Sequence, residues 1–147
     1  MADPQRDAPI GEILSALFPA SGTAVIPKVV KVALGQAAGN AGVLSWQNPE
    51  AVGVLAAVVI DITTAQAGQT ADVGVDGDGT GTADTLLDGV SLAATGAFSS
   101  FSNAGTNGAA FRKLDAKGGT SDYVTATASG TPSSLAGNAY VIYVPVS

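Results

Sequence analysis

From Gly22 onward, the chain consists of short runs of β-branched and aliphatic residues separated by Gly, Asn, Ser and Thr. In the run QTADVGVD, Ala71, Val73 and Val75 alternate with polar or small residues, which is typical of a strand with one buried face. The pattern predicts an all-β fold, an antiparallel β-sandwich or jelly roll of about seven to nine short strands. The predicted strand regions are TAVIPKVVKVAL, NAGVLSWQN, VGVLAAVVIDITT, QTADVGVD, DTLLDGVSL, FRKLDA, DYVTATAS and AYVIYVPV.

The first twenty-two residues follow a different period and predict a separate N-terminal unit, residues 1–22, before a sandwich domain, residues 23–147. Asp7 is a suitable cap and Pro19 a suitable end for a short amphipathic helix or arm. Three interpretations are open: this helix packs against its own domain, it binds a neighbouring subunit or a capsid surface, or the segment is disordered. The apolar stripe expected at this capsid or subunit interface has helical spacing and consists of Ile10, Ile13, Leu14, Leu17 and Phe18.

Charge is scarce, because only 12% of the 147 residues are charged, about half the usual share for soluble domains. The net charge is −6 and the six basic residues are scattered. Without a basic stripe to neutralise phosphates, we expect no nucleic-acid partner and no binding to an anionic membrane. The longest apolar run, AVGVLAAVVI, is shorter than a bilayer span, so we expect a chain that is kept soluble.

The sequence contains neither His nor Cys. Ser–His–Asp, Cys–His and His-ligated or thiolate-ligated zinc chemistry are therefore excluded. Carboxylate chemistry stays formally open, but the only two glutamates, Glu12 and Glu50, show no pocket-forming pattern. We expect a protein that is not an enzyme.

The densest group of carboxylates lies in DVGVDGDGTGTADTLLDG, from Asp72 to Gly89. Counted from Asp76, the spacing fits the first nine positions of an EF-hand loop, but the twelfth position is Leu87 instead of a bidentate Glu. An EF-hand is excluded. A looser calcium loop between Asp76 and Asp84 remains an alternative to the favoured interpretation, a glycine-rich connection between strands.

Several single residues are candidates for binding groups. Trp46 is expected in the core, with sugar stacking as the alternative, and Arg112–Lys113 is expected at a solvated strand edge. No base is present to activate the serines of GAFSSFSNAGTNG as nucleophiles. In that segment Phe98 and Phe101 are expected to be core or interface aromatics.

The arrangement of WQNPEAVGVLAAVVIDITT, ADVGVDGDGTGTADTLLDGV, GTNGAAFRKLDAKGG and AYVIYVPV resembles small structural proteins of tailed bacteriophages. The resemblance covers roughly residues 43–146 and rests on strand and turn patterns rather than on catalytic motifs. The matching positions are Gln47, Asn48 and Pro49, then Ile60 to Thr64, Asp72 to Val75, Thr85 to Gly89, and Tyr140 to Pro145.

Proteins of this kind are head decoration (cement) or head-fibre components. The resemblance implies a β-sandwich that forms a homo-oligomer, commonly a trimer, binds the major capsid protein and resides on the capsid exterior of the virion after assembly in the host cytoplasm. It implies no cofactor, no metal and no catalytic residue. The alternative from a different class is a carbohydrate-binding or adhesin-like sandwich, with calcium in the Asp76–Asp84 loop and host-surface carbohydrate as its partner.

Overall fold

The computed structural model describes residues 26–35 and 42–146. Over these ranges the chain forms nine β-strands and no helix. The strands are β1 Lys28–Ala33, β2 Gly42–Gln47, β3 Val54–Thr64, β4 Thr70–Asp76, β5 Leu87–Ser91, β6 Gly96–Ser99, β7 Arg112–Leu114, β8 Tyr123–Ala128 and β9 Ala136–Pro145.

The strands form two antiparallel sheets. The five-stranded sheet has the order β1-β9-β3-β6, and β7 pairs with the first part of β3 beside β6; the four-stranded sheet has the order β2-β8-β4-β5. These pairs are nested along the chain. The β1–β9 pair encloses β2–β8, which encloses the pairs of β3 with β6 and β7, and these enclose β4–β5. This nesting is the topology of a jelly roll, in which a long antiparallel ribbon folds over into two sheets. The predicted fold class is confirmed.

The core lies between the two sheets and is built from aliphatic side chains. Alternate residues of β3 point inward, and Val54, Val58 and Ile60 are at most 1% exposed. They meet residues of the opposite sheet such as Val73 and Val124, which are fully buried. Because aromatics make up only 5% of the chain, branched aliphatic residues supply most of this packing.

The strand predictions agree with the structure at all eight predicted runs, with one strand missed. β6, Gly96–Ser99, has four residues and begins with a glycine at φ 143°, so it lacks the alternation that marks the other strands. The last run, AYVIYVPV, has apolar residues on both faces, as expected of a central strand, and β9 lies between β1 and β3.

Both sides of strand β8 are buried, including the side that carries its polar residues. Thr125 and Thr127 are 1% and 6% exposed. Thr125 lies opposite Ser45 on β2 and Gly74 on β4. The connection from β4 to β5 crosses this outer side of the four-stranded sheet, with Ala83 directly against Gly74. The polar side of β8, which carries Thr125 and Thr127, is therefore covered by the chain itself.

Candidate contact surface

The outward side of the five-stranded sheet is apolar across three neighbouring strands. Val29 on β1 lies opposite Ile142 on β9, and Ile142 lies opposite Ala57 on β3. Val29 is 60% exposed and Leu55 is 38% exposed, although neither has a polar group to offer to water. We call this surface the apolar face; it consists of Val29, Leu55, Val59, Ile142 and Val144, with Ala57 buried between them.

Two lysines flank the apolar face. Lys31 follows Val29 on the outward side of β1, and Lys113 on β7 lies opposite Leu55. Both lysines are exposed. Asp61 follows Val59 on the outward side of β3, so the apolar centre has positive charge at two of its borders and a carboxylate at a third.

An exposed aromatic pair lies in the connection from β6 to β7, and its second member immediately precedes β7. The rings of Phe101 and Phe111 meet edge to face with centroids 5.1 Å apart, and they are 52% and 47% exposed. Side-chain alternation places Phe111 on the same side as Lys113, two residues later. Large exposed aromatic side chains are typical of protein interfaces. The aromatic pair is therefore the strongest local candidate for a contact point among the described residues.

Hydrogen bonds fix the segment that carries the aromatic pair. The hydroxyl of Ser100 donates to the carbonyl of Ala110 at 2.8 Å and accepts from the backbone N–H of Val58 at 3.2 Å. Asn103 accepts from the backbone N–H of Ser99 through its side chain at 3.1 Å. These bonds close the connection on itself, so the aromatic pair is held on β3 rather than at the tip of a free loop.

Lys28 anchors β1, the edge strand that contributes Val29. Its Nζ lies 2.5 Å from Oε1 of Glu50 and 5.9 Å from the centre of the Tyr143 ring. The hydrogen bond from Lys28 lowers the pKa of Glu50, and the same bond raises the pKa of Lys28. Burial is the main cause of a raised pKa at Tyr143, whose hydroxyl donates to Glu50 at 3.3 Å. This group stabilises the edge of the sheet.

A second polar network fixes the loop that follows β2. Asn48 is fully buried, and its amide donates to the carbonyls of Asp115 at 2.7 Å and Val52 at 3.0 Å. The carboxylate of Asp122, 1% exposed, accepts from the side chain of Gln47 and the backbone N–H of Gly118, both at 2.7 Å. The buried amide of Asn48 and the carboxylate of Asp122 are bonded to groups of the same chain, so these side chains serve the scaffold.

The acidic loop folds on itself by means of its own carboxylates. Asp76 accepts from the backbone N–H groups of Asp78 at 3.2 Å and Gly81 at 2.9 Å. Asp78 accepts from the backbone and the hydroxyl of Thr80, and these bonds lower the pKa of Asp78. Asp84 accepts from the side chain of Asn107. Among the described residues, no three acidic side chains are grouped as metal ligands. The arrangement agrees with the favoured interpretation, a connection between strands.

The other sequence candidates have clear positions. Trp46 is 9% exposed and packs against Tyr143 with ring centroids 5.0 Å apart, so it belongs to the core as expected. Phe98 packs against the core, whereas Phe101 is at the surface. Arg112 and Lys113 lie on the short strand β7 and are exposed. Arg112 also donates to the carbonyl of Thr85 at 2.9 Å.

Two features of this surface are not predicted above. Phe111 is the partner of Phe101, and its position as a Phe within a Gly-, Ala- and Asn-rich segment is a usable signal. The link between Lys28 and Glu50 carries no local signal, because it joins residues 22 positions apart. The predicted interface stripe, Ile10, Ile13, Leu14, Leu17 and Phe18, lies outside the described residues.

Comparison of the chain with protein-family models, with curated proteins and with solved structures finds no significant match. In the described part of the chain, no helix has the length and apolar character needed to cross a membrane.

Proposed function

We propose that this chain is a non-enzymatic structural protein that binds the outer surface of a bacteriophage capsid and stabilises it, as a decoration or head-fibre protein. The observation that carries the proposal is the exposed aromatic pair, Phe101 and Phe111, held on a hydrogen-bonded jelly roll. The strand and turn patterns that resemble tailed-phage head proteins support the same function. The partner in this proposal is the major capsid protein.

The physical properties of the surface suit broad, shallow binding. Aromatic side chains supply large contact area at low conformational cost, and they concentrate binding energy at a few positions. A surface with few charges also lowers the cost of removing water from the contact. A homotrimer, which the proposal includes, would bind several equivalent lattice sites at once and gain from avidity.

The fold alone does not select this function over the carbohydrate-binding alternative, since jelly rolls occur in viral capsid proteins and lectins alike. The two sites named for that alternative receive no specific support. Trp46 is packed against Tyr143 rather than exposed for stacking on a sugar. The carboxylates of Asp76 and Asp78 accept hydrogen bonds from within their own loop.

The chemistry of the described residues also favours a binding role. The chain has no His or Cys to act as a base or nucleophile at neutral pH. The partly exposed Glu50 is engaged by Lys28 and Tyr143, and the buried Asp122 is engaged by Gln47 and Gly118. These carboxylates stabilise loops and strands.

The test uses capsids assembled without this protein, to which purified variants are added before sedimentation. Replacing both members of the aromatic pair (Phe101→Ser with Phe111→Ser) should weaken binding at least about 30-fold, since aromatic hot spots contribute 2 kcal/mol or more. Val52→Ser is the matched control, because Val52 is also apolar and 44% exposed but lies in the loop before β3. Circular dichroism confirms that each variant is folded. Unchanged binding of the folded double variant contradicts the proposal.

A deletion of residues 1–21 answers a separate question about the same complex. Full retention of capsid binding by the deleted protein assigns the contact to the jelly roll. A loss of binding, with the jelly roll still folded, assigns part of the contact to the segment that carries the apolar stripe. Sedimentation equilibrium of the free protein tests the expected trimer.

A further inference from the structure

Two surface segments of the molecule are bonded to each other, and Asn107 lies where they meet. The connection from β6 to β7 contacts the end of the connection from β4 to β5 and the start of β5. The N–H of Asp88 donates to the carbonyl of Ala104 at 2.9 Å, and the N–H of Ala109 donates to the carbonyl of Thr85 at 3.0 Å. Along the chain these two bonds lie on either side of Asn107, so its position between the segments is fixed.

Asn107 donates hydrogen bonds to two carboxylates of the facing segment. Its side-chain nitrogen donates to Oδ2 of Asp84 at 2.8 Å, and its backbone N–H donates to Oδ2 of Asp88 at 3.1 Å. An ionised carboxyl group at residue 107 could not make the first bond, because it only accepts hydrogen bonds. It would also add a negative charge beside two existing ones. The contact therefore depends on a neutral side chain at this position.

Asn107 is followed by Gly108, and no other asparagine in the sequence precedes a glycine. The backbone nitrogen of the residue after an asparagine can attack the carbonyl carbon of the asparagine side chain. Glycine permits this attack most readily, because it has no Cβ to hinder the approach. Asn107 is exposed, so water reaches its side chain. The N–H of Gly108 donates to no backbone carbonyl among the described residues, so the attack breaks no such bond.

The packing around Gly108 excludes a larger residue at this position. A Cβ added to Gly108 would lie 2.6 Å from the carbonyl oxygen of Leu86 and would also collide with the carbonyl oxygen of Ala104. Both oxygens belong to the backbone, so neither can rotate away as the end of a side chain can. A bulkier neighbour that would hinder attack on Asn107 is therefore incompatible with the fold.

We propose that Asn107 is a site of spontaneous deamidation. The backbone nitrogen of Gly108 loses its proton and bonds to the side-chain carbonyl carbon of Asn107, and the side-chain nitrogen leaves as ammonia. Water then opens the resulting succinimide at one of its two carbonyl carbons. One product is aspartate. The other is isoaspartate, in which the main chain runs through the former side chain.

Deamidation weakens the contact between the two segments. The new carboxylate loses the hydrogen bond to Asp84 and repels that side chain instead. Isoaspartate also adds a methylene group to the main chain, which displaces the N–H of Ala109 from the carbonyl of Thr85. The inference concerns the free protein and does not depend on the proposed capsid function.

Peptide mapping by mass spectrometry tests the proposal on the full natural chain. The folded protein is kept at mildly alkaline pH, which favours loss of the amide proton, and each asparagine is scored over time for replacement of its side-chain NH2 by OH. Asn103 is the internal control, because it is exposed and lies in the same connection but precedes Ala104. We expect conversion at Asn107 to be at least about tenfold faster than at Asn103. Conversion at Asn107 that is no faster than at Asn103 overturns the proposal.

The variant Asn107→Asp reproduces one of the two products and measures the effect of the new charge. We expect its melting temperature to fall by at least about 2 °C, and the loss to become smaller as salt is added. Asn103→Asp is the matched control, because an aspartate there can still accept the hydrogen bond that Asn103 accepts from the N–H of Ser99. Its melting temperature should change by less than about 1 °C. An Asn107→Asp protein as stable as the natural one overturns the proposed weakening of the contact.

Discussion

The Nζ atom of Lys28 lies 2.5 Å from Oε1 of Glu50, and this salt bridge joins the edge strand β1 to the loop between β2 and β3. Tyr143 on β9 donates a hydrogen bond to the same carboxylate. Among the described strands β1 pairs only with β9, so the contact adds a second attachment for this edge strand. The side chain of Lys28 remains 50% exposed, so solvent and salt screen the interaction.

Replacing Lys28 with Met should lower stability in a pH-dependent way. The pKa of Glu50 is lowered below 4.5, so the salt bridge stabilises the fold above that pH and its contribution disappears as the pH falls through the lowered value. The pKa of Lys28 is raised above 10.5, so the contribution also disappears as the pH rises through the raised value. Urea unfolding of Lys28→Met and of the natural protein, repeated from pH 3 to about 8, measures the lower boundary.

The control for this prediction is Lys31→Met, because Lys31 lies on the same strand, is exposed and has no salt bridge among the described residues. Its stability difference should stay small and nearly independent of pH. A Lys28→Met difference that persists unchanged at pH 3 would contradict the role given to the salt bridge.

Asn48→Ala should be among the most destabilising single substitutions in the chain. Its side chain makes three hydrogen bonds, two as donor to Val52 and Asp115 and one as acceptor from the backbone N–H of Glu50. Removing it leaves buried backbone groups without partners, which should cost about 2–4 kcal/mol of unfolding free energy. Denaturant titration measures the difference. Asn138→Ala, at a partly exposed position of β9, should change it by less than about 0.5 kcal/mol.

Gly79→Ala should disturb the acidic loop more than Gly68→Ala. Both glycines have positive φ, 77° and 72°, so both substitutions strain the backbone. A Cβ at Gly79 would also lie 2.8 Å from the Ser45 hydroxyl oxygen and from the ring of Tyr123, whereas a Cβ at Gly68 meets nothing within 4 Å. We expect an additional loss of about 1–3 kcal/mol for Gly79→Ala. Equal thermal stabilities of the two variants would show that the acidic loop does not pack closely against Ser45 and Tyr123.

Thr125→Val should stabilise the protein. The hydroxyl of Thr125 is buried under the connection from β4 to β5 and has no hydrogen-bond partner among the described residues. Valine keeps the branched shape and removes the unpaired group, so the free energy of unfolding should rise by about 1 kcal/mol. Thr127→Val, on the same face of β8, serves as the comparison and should have a smaller effect. A loss of stability in Thr125→Val would reveal a hydrogen bond to this hydroxyl.

Calcium should leave the melting temperature unchanged. A ligand that binds only the native state raises the melting temperature, but the loop carboxylates already accept hydrogen bonds from the loop itself. Thermal melts with millimolar calcium and with chelator should coincide. Asp76→Asn should lower the melting temperature by the same amount in both solutions, since it weakens two internal bonds. An increase that occurs with calcium in the natural protein and is lost in Asp76→Asn would restore the calcium alternative.

The strands were predictable from the sequence wherever burial alternates along the chain. In β4, Ala71, Val73 and Val75 face the core and the residues between them do not, so the two-residue period is visible without a structure. The same pattern is missing from β6, because the four residues Gly-Ala-Phe-Ser show no alternation of apolar and polar side chains. Local sequence thus indicated the other strands but not β6.

The contact surface was less predictable, because it depends on pairs of residues that only the fold brings together. The outward position of Leu55 acquires meaning when Val144 and Lys113 are found on either side of it. In the sequence, Asn48 is a residue before a proline, which is typical of an ordinary turn. Its amide is buried against a carbonyl 67 positions further along the chain, and no local pattern contains that information.

The pairing of β1 with β9 also constrains how the protein folds during synthesis. Lys28 lies beside Tyr143, so β1 can pair with β9 only after more than one hundred further residues have been made. Contacts between such distant positions carry a high loop-closure cost and are associated with slow folding. β9 lies between β1 and β3, so neither of these strands can complete its pairing until β9 has left the ribosome. A ribosome stalled before Ala136 should therefore hold a nascent chain that proteases cut readily, and release of the last ten-residue strand should bring resistance.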